Sequence, residues 1–280
     1  MFVNSLAVKR FDDPTVYTTA KNLIAGAILT SALLAGRRRV STAALTSTSV
    51  RARLAVVALI GGAVPFVLFF EGLARATSTN AAFIHKTLVI WVAIGASVVL
   101  SERVTAVHAG AIGLLLAGHL VLGGQPPTGL GTGEIMILTA TLLWAAEVLI
   151  VKRLLADVPP GLAAASRMAG GSAFLVMWLV VRGDLSGLGQ FTAHQWGWLA
   201  LTGATLSIFV GTWYRALALA PAIDVTAILV LGAVITGLLN TGFRGVPLTV
   251  DSYGYVLLAA GALAVAVAGR RTPPARTAAT

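Results

Sequence analysis

The chain has no cysteine, only four histidines, and few charges of either sign. Without cysteine there is no disulfide and no thiolate metal site. The histidines are scattered, with no His-x-x-x-His or similar pairing, so no metal and no cofactor are expected. There is no His-Glu-x-x-His, no Asp-x-x-Asp and no cysteine nucleophile, which argues against a membrane-embedded hydrolase or transferase. Charged residues make up 11% of the sequence, whereas soluble domains average roughly 25%.

What is abundant is apolar sequence: 57% hydrophobic residues and a mean hydropathy of +0.89. No single soluble core of 280 residues needs that much. A polytopic helical membrane protein does. The net charge of +10 forms no groove-like patch that would suit a nucleic acid. The basic residues fall between apolar runs instead, as loops sorted by the positive-inside rule would have them.

Full spans are expected over 18–36, 54–76, 80–100, 105–122, 134–155, 161–181, 196–219, 223–243 and 253–268, with a partial one at 1–11. Met1–Phe11 has no charged n-region and no cleavage site, so it does not read as a signal peptide. Pro65 predicts a kink in the third crossing. The Gly/Pro stretch at 123–133 reads as a boundary, and the tail RRTPPARTAAT as basic and unstructured. Small residues at four-residue spacing, Ala109, Gly113 and Ala117 in one span and Ala260, Ala264 and Ala268 in another, suit close helix contact or merely reflect composition.

The sequence repeats. FEGLARATSTNAAFI at 70–84 aligns with YRALALAPAIDVTAI at 214–228, an offset of 144. The frame continues from Val104-Thr105 to Leu248-Thr249, and at offset 143 Val8-Lys9-Arg10 falls on Val151-Lys152-Arg153. The expected fold is therefore an all-α membrane protein of two five-helix repeats, residues 1–123 and 134–269, joined by 124–133 and followed by a cytoplasmic tail at 270–280. An odd number of spans inverts one copy against the other. On this ten-helix plan the counterpart of Glu134–Leu143 is absent before Met1, so the first helix is truncated, through a misplaced start or as a nine-helix variant. With both ends cytoplasmic, thirteen basic residues fall inside, Arg167 among them, and six outside, Lys21 among them. Lys86 lies within the membrane.

Intramembrane charges are costly and point to function or to a partner. Glu71 and Lys86 flank the turn near Ser78 at similar depth, either facing a cavity where Lys86 attracts an anionic group, or neutralising each other. His85 points about 100° away from Lys86 and reads better as packed and hydrogen-bonded. Glu147 sits mid-span three residues after Trp144. Unpaired, it would suit proton coupling; bonded, it ties helices together. Trp91, Trp144, Trp213 and Tyr214 could wall a cavity or anchor at the interface. Arg215 reads as snorkelling, Asn80 and Asp224 as helix caps, and Glu102-Arg103 as a helix end. Val230 stands opposite Lys86 in the repeat, so whatever Lys86 does is asymmetric.

LLWAAEVLIVKRL at 142–154, FFEGLARATSTNAAFIHKT at 69–87 and LSERVTAVHAGAIGLLLAGHLVL at 100–122, in this order and spacing, resemble the drug/metabolite transporter superfamily in its EamA branch. Two departures stand out. Thr87-Leu88-Val89 replaces a proline common early in the fourth helix, and Val246 replaces Glu102 in the second repeat. The resemblance implies a secondary transporter exporting small metabolites by alternating access, with the fifth and tenth helices peripheral. The implied setting is the plasma or inner membrane, with a small-molecule substrate and the lipid bilayer as partners and a homodimer as an open alternative. An inactive truncated paralogue and a membrane-embedded enzyme are the competing readings.

Overall fold

A computed structural model describes residues 2–36, 47–121, 129–229, 231–244 and 253–271. Arg37–Arg39, most of the Gly/Pro boundary, Val230, Val246 and the tail beyond Arg271 lie outside the described residues. The α-helices are α1 (Phe2–Ala7), α2 (Pro14–Ala35), α3 (Thr48–Gly62), α4 (Val64–Arg75), α5 (Ser78–Lys86), α6 (Leu88–Val99) and α7 (Ala106–Val121). They continue as α8 (Thr132–Leu154), α9 (Pro160–Arg182), α10 (Ala193–Leu219), α11 (Ala222–Ile228), α12 (Leu231–Arg244) and α13 (Tyr253–Arg271). Among the described residues five stretches are long and apolar enough to cross a membrane: Pro14–Ala35, Thr48–Leu73, Asn80–Val99, Thr132–Leu154 and Pro160–Arg182. Ala106–Gly118 and Tyr253–Ala264 are shorter apolar helices, and α10 runs for 27 residues, roughly 40 Å.

Local chemistry sets the helix ends. Asp13 accepts from Thr15 N and Val16 N, with Pro14 as the first helical residue, so α2 begins four residues ahead of the expected span. Thr192 and Gln195 make a reciprocal capping box on α10, and Gly183, at φ 78°, ends α9 in the left-handed region.

Three crossings are interrupted. The third breaks at Ala63, where Pro65 leads to a kink. The fourth, expected to be continuous over 80–100, breaks at Thr87 with no proline present. The Thr87 N–H turns back to Ile84 O (3.1 Å), its hydroxyl donates to the same carbonyl (2.6 Å), and α6 restarts on Thr87 O. The ninth breaks at Leu229, whose N–H turns back to Thr226 O (3.2 Å). A repeat offset of 144 puts these last two interruptions opposite each other.

Helix α8 lies at the centre, packed on α3, α4, α5 and α6, while α9 packs on α2, α3 and α10. The main core draws on α2, α3, α6, α8, α9, α10 and α11 (Val57, Ala96, Val148, Met168, Tyr214 and Ile223 among its residues). Helices α7 and α13, the fifth and tenth crossings, pack chiefly on each other, as expected for a peripheral pair. Their contact face differs from the expected stripes. A Cβ on Gly118 would lie 2.6 Å from Gly254 O, and one on Gly261 2.9 Å from Ala111 O, whereas Gly113 faces open space and Ala109 and Ala260 are exposed. In an Ala/Gly-rich helix nearly every face offers small residues at four-residue spacing, so spacing alone does not select one.

Two basic residues sorted to the membrane sides are interior. Arg167 lies two turns into α9 and Lys21 two turns into α2, at 8% and 5% exposure. The expected caps also shift. Thr77, not Asn80, caps α5 by accepting Asn80 N, and the Asn80 amide donates to Glu134 Oε1 at 2.9 Å. Asp224 does not cap α11; it meets His108 Nε2 at 2.9 Å across the two repeats. Because Thr105 N–H donates to His108 Nδ1 (3.1 Å), the proton belongs on Nε2, which donates to Asp224. The cap of α11 comes from Glu102, whose two oxygens accept Ala222 N (2.9 Å) and Ile223 N (3.3 Å). Ser101, at φ 56°, turns the chain so that this carboxylate reaches the other repeat. Glu102→Ala is expected to cost about 1 kcal/mol, seen as a lower melting temperature of the purified protein, with Glu102→Gln recovering part of it.

The two ends of the bundle carry different ties. At one, Lys152 Nζ donates to Leu217 O (2.6 Å) and Ala220 O (2.7 Å), Arg153 donates to Val99 O, and Arg53 pairs with Asp157 (3.0 Å). At the other, Arg182 joins Asp13 (2.9 Å), Asp184 (2.8 Å) and Glu71 (3.4 Å), and Arg75 pairs with Glu71 (2.7 Å).

Candidate functional site

Pro65 has no N–H, so the Gly61 carbonyl, its partner in an unbroken helix, is left without a donor. The indole of Trp144 supplies one, Nε1 donating to Gly61 O at 3.1 Å. The kink thereby fixes a tryptophan of α8 against the α3–α4 junction. Phe66 and Phe69 meet that indole with ring centroids 5.5 and 5.6 Å away, and His85 meets it at 5.2 Å and Phe69 at 5.3 Å. His85 Nδ1 is buried here without a hydrogen-bond partner. It is packed, as expected, but among rings and not through a bond from that nitrogen.

One turn along α8, Glu147 is buried at 3% exposure. Its Oε1 accepts from Tyr214 Oη at 2.5 Å and lies 3.4 Å from Arg167 Nε. A Cβ on Gly61 would come 2.6 Å from Glu147 Cγ, so only glycine lets the carboxylate lie against α3. Glu147 is thus not the unpaired acid that a simple proton-carrier reading requires. A buried pair of this kind gains little net stability, because desolvation offsets attraction, and what it fixes is how α8, α9 and α10 register.

The remaining candidates separate. Glu71 and Lys86 do not pair: Glu71 belongs to Arg75 and Arg182 near the end of the bundle. Lys86, the last residue of α5, is half-buried and has no ion partner among the described residues. Trp91 is exposed, its Nε1 donating to Thr87 Oγ1 at 3.0 Å, and Trp213 stacks on Phe209 at 6.0 Å. Arg215 is exposed. The structure therefore joins His85 to Trp144 and Glu147 to Tyr214, with Gly61 touching both sets.

Sequence reasoning passed over Arg167, Lys21 and Gly61. Each basic residue stands alone in an otherwise apolar helical run, and that isolation was the available signal. Among the described residues no group of three acids, histidines or cysteines could hold a metal.

The family model described as the EamA-like transporter family matches residues 1–124 and again 131–268. The chain belongs to this family. It is accordingly a membrane transporter of the drug/metabolite kind, an all-α multi-pass protein of two repeats. Among solved structures 28 chains match. One, described only as "Crystal structure of protein", superposes with a TM-score of 0.77 over 95% of this EamA-like chain and 92% of its own, at 19% identity. That likeness is one of fold. No curated protein matches.

Proposed function

We propose that this chain is a secondary transporter that exports small polar metabolites, amino-acid-like compounds among them, by alternating access driven by protons or exchange. The observation that carries the reading is the pair of interrupted crossings, α5–α6 and α11–α12, at equivalent places in the two repeats. Broken helices bring half-helix ends to mid-membrane depth, where inverted-repeat transporters build their substrate sites. Lys86 ends one of these half-helices, and His85 with Trp144 and Glu147 with Tyr214 and Arg167 lie on the elements packed around α8.

Opening requires the ties at one end to part while those at the other hold. Asn80–Glu134 and Glu71–Arg182 close one face; the Glu102 cap and His108–Asp224 close the other. Each is polar and few-membered, so water can replace its bonds at modest cost. The charge pattern supports both ends on the cytoplasmic side of the plasma or inner membrane, with the Arg53–Lys152 face inward.

The test is efflux from loaded cells or vesicles. Lys86→Ala is expected to abolish export while membrane insertion, read by surface or fractionation assay, stays at the wild-type level. Wild-type efflux by that variant overturns the role given to the α5 end.

A further inference from the structure

On α2, Lys21 is almost wholly buried, and no carboxylate lies within 4 Å of it among the described residues. Its Nζ reaches Asn4 Oδ1 at 3.3 Å, an oxygen already accepting from Tyr17 Oη at 2.7 Å. Otherwise it faces rings: Tyr17 at 5.1 Å, Phe70 at 5.8 Å and Phe66 at 5.9 Å from their centroids. Thr18 and Asn22, one helical turn apart and both to the same side of Lys21 around α2, are also buried. The Thr18 hydroxyl and both polar atoms of the Asn22 amide have no hydrogen-bond partner.

Phe66 is shared. It lies under Lys21 on one side and edge-on to Trp144 on the other, and Trp144 meets His85, the neighbour of Lys86. A continuous aromatic layer thus runs from the Lys21 ammonium on α2 to the His85 ring on α5. The nearby acids are already engaged: Glu71 with two arginines, Glu134 with Asn80, Glu147 with Arg167 and Tyr214. No acid among the described residues comes within ion-pair range of either lysine. Unpaired cations inside a membrane protein mark a place for an anion, and rings beside them suit a flat apolar body.

We infer that Lys21, at the edge of the Phe66–Phe69–Trp144–His85 layer, binds the negative group of the transported compound, and that this chain carries small aromatic carboxylates. The inference rests on the transporter reading and narrows it. An aromatic carboxylate places its ring against the aromatic layer and its charge against Lys21.

Benzoate, its uncharged analogue benzamide, its cationic analogue benzylamine, and inorganic phosphate can be offered to the purified full chain. Binding is read as a shift in melting temperature and counterflow in proteoliposomes. Benzoate is expected to bind and to exchange, benzamide and benzylamine to bind at least tenfold more weakly, and phosphate, lacking the ring, likewise. Lys21→Met is expected to raise the ligand-free melting temperature, since it removes an unpaired buried charge, and to weaken benzoate binding at least tenfold. Lys21→Arg, which keeps the charge, is expected to retain most of it. Benzamide or benzylamine binding as tightly as benzoate overturns the inference without any variant; so does unaltered benzoate binding by Lys21→Met. Counterflow of benzylamine but not benzoate leaves the transporter reading standing and removes the anion site. Benzoate binding with no counterflow of any probe keeps the site and removes the transporter reading.

Discussion

Glu147→Ala is expected to lower the stability of the purified protein by about 3–5 kcal/mol, the range for breaking a buried pair from one side. The loss comes less from the vanished attraction than from what stays behind. Arg167 remains at 8% exposure with no other acid among the described residues within ion-pair range, and Tyr214, fully buried, loses its only described acceptor. The double variant Glu147→Leu with Arg167→Met is expected to recover most of the loss, because removing both charges removes the desolvation cost with them. A thermal melt followed by size-exclusion fluorescence checks the series. Equal melting temperatures for Glu147→Ala and wild type remove the pair from any account of how α8, α9 and α10 register. Export is expected to fail in the single and double variants alike, which separates the pair's functional from its structural contribution.

Gly171→Val is expected to be as damaging by another route. Helices α3 and α9 touch through backbone: a Cβ on Gly171 would sit 2.6 Å from both Cα and C of Gly62, and one on Gly62 would run into Arg167 O. Backbone atoms cannot rotate aside, so the helices must separate. Overpacking typically costs about 1–3 kcal/mol and at times more, and in a membrane, where close van der Waals packing is a main force between helices, no hydrophobic gain offsets it. The separation also pulls Arg167 from Glu147. Gly171→Ala is expected to show a smaller shift in the same direction. Gly113→Ala, on a face with nothing within 4 Å, is expected to leave the melting temperature unchanged or slightly raised. A Gly171→Val protein as stable as the Gly113→Ala control refutes the close approach.

The apolar runs and the repeat were legible because a bilayer imposes them: length follows from its thickness, and inversion from an odd number of spans. Pro65 likewise announced the kink and the need for a substitute donor, though not that Trp144 provides it. Thr87 announced nothing, because its break depends on a hydroxyl turning back to Ile84 and on the helices packed around it. Pairings between distant helices were illegible for a general reason. Spans that meet both lipid and protein are apolar all round, so periodicity does not say which face of α8 looks toward Tyr214 or toward His85. Depth alone placed Glu71 beside Lys86, whereas azimuth gives Glu71 to Arg182. Lys21 and Arg167 were illegible because the positive-inside rule sorts charges by side of the membrane and says nothing of a cation two turns inside a helix.

Glu102 sits in one repeat and the helix it caps in the other, while the second repeat has valine in the matching place. The two halves are therefore no longer interchangeable parts. Two copies of the first would bring two carboxylates and no Ala222–Ile228 helix to receive them; two copies of the second would bring two such helices and no acid. Joining them in one polypeptide supplies one of each at a fixed ratio. In that sense the chain is an obligate heterodimer synthesised as a single molecule, and its pseudo-symmetry survives in the backbone but not in the contacts that hold the halves together.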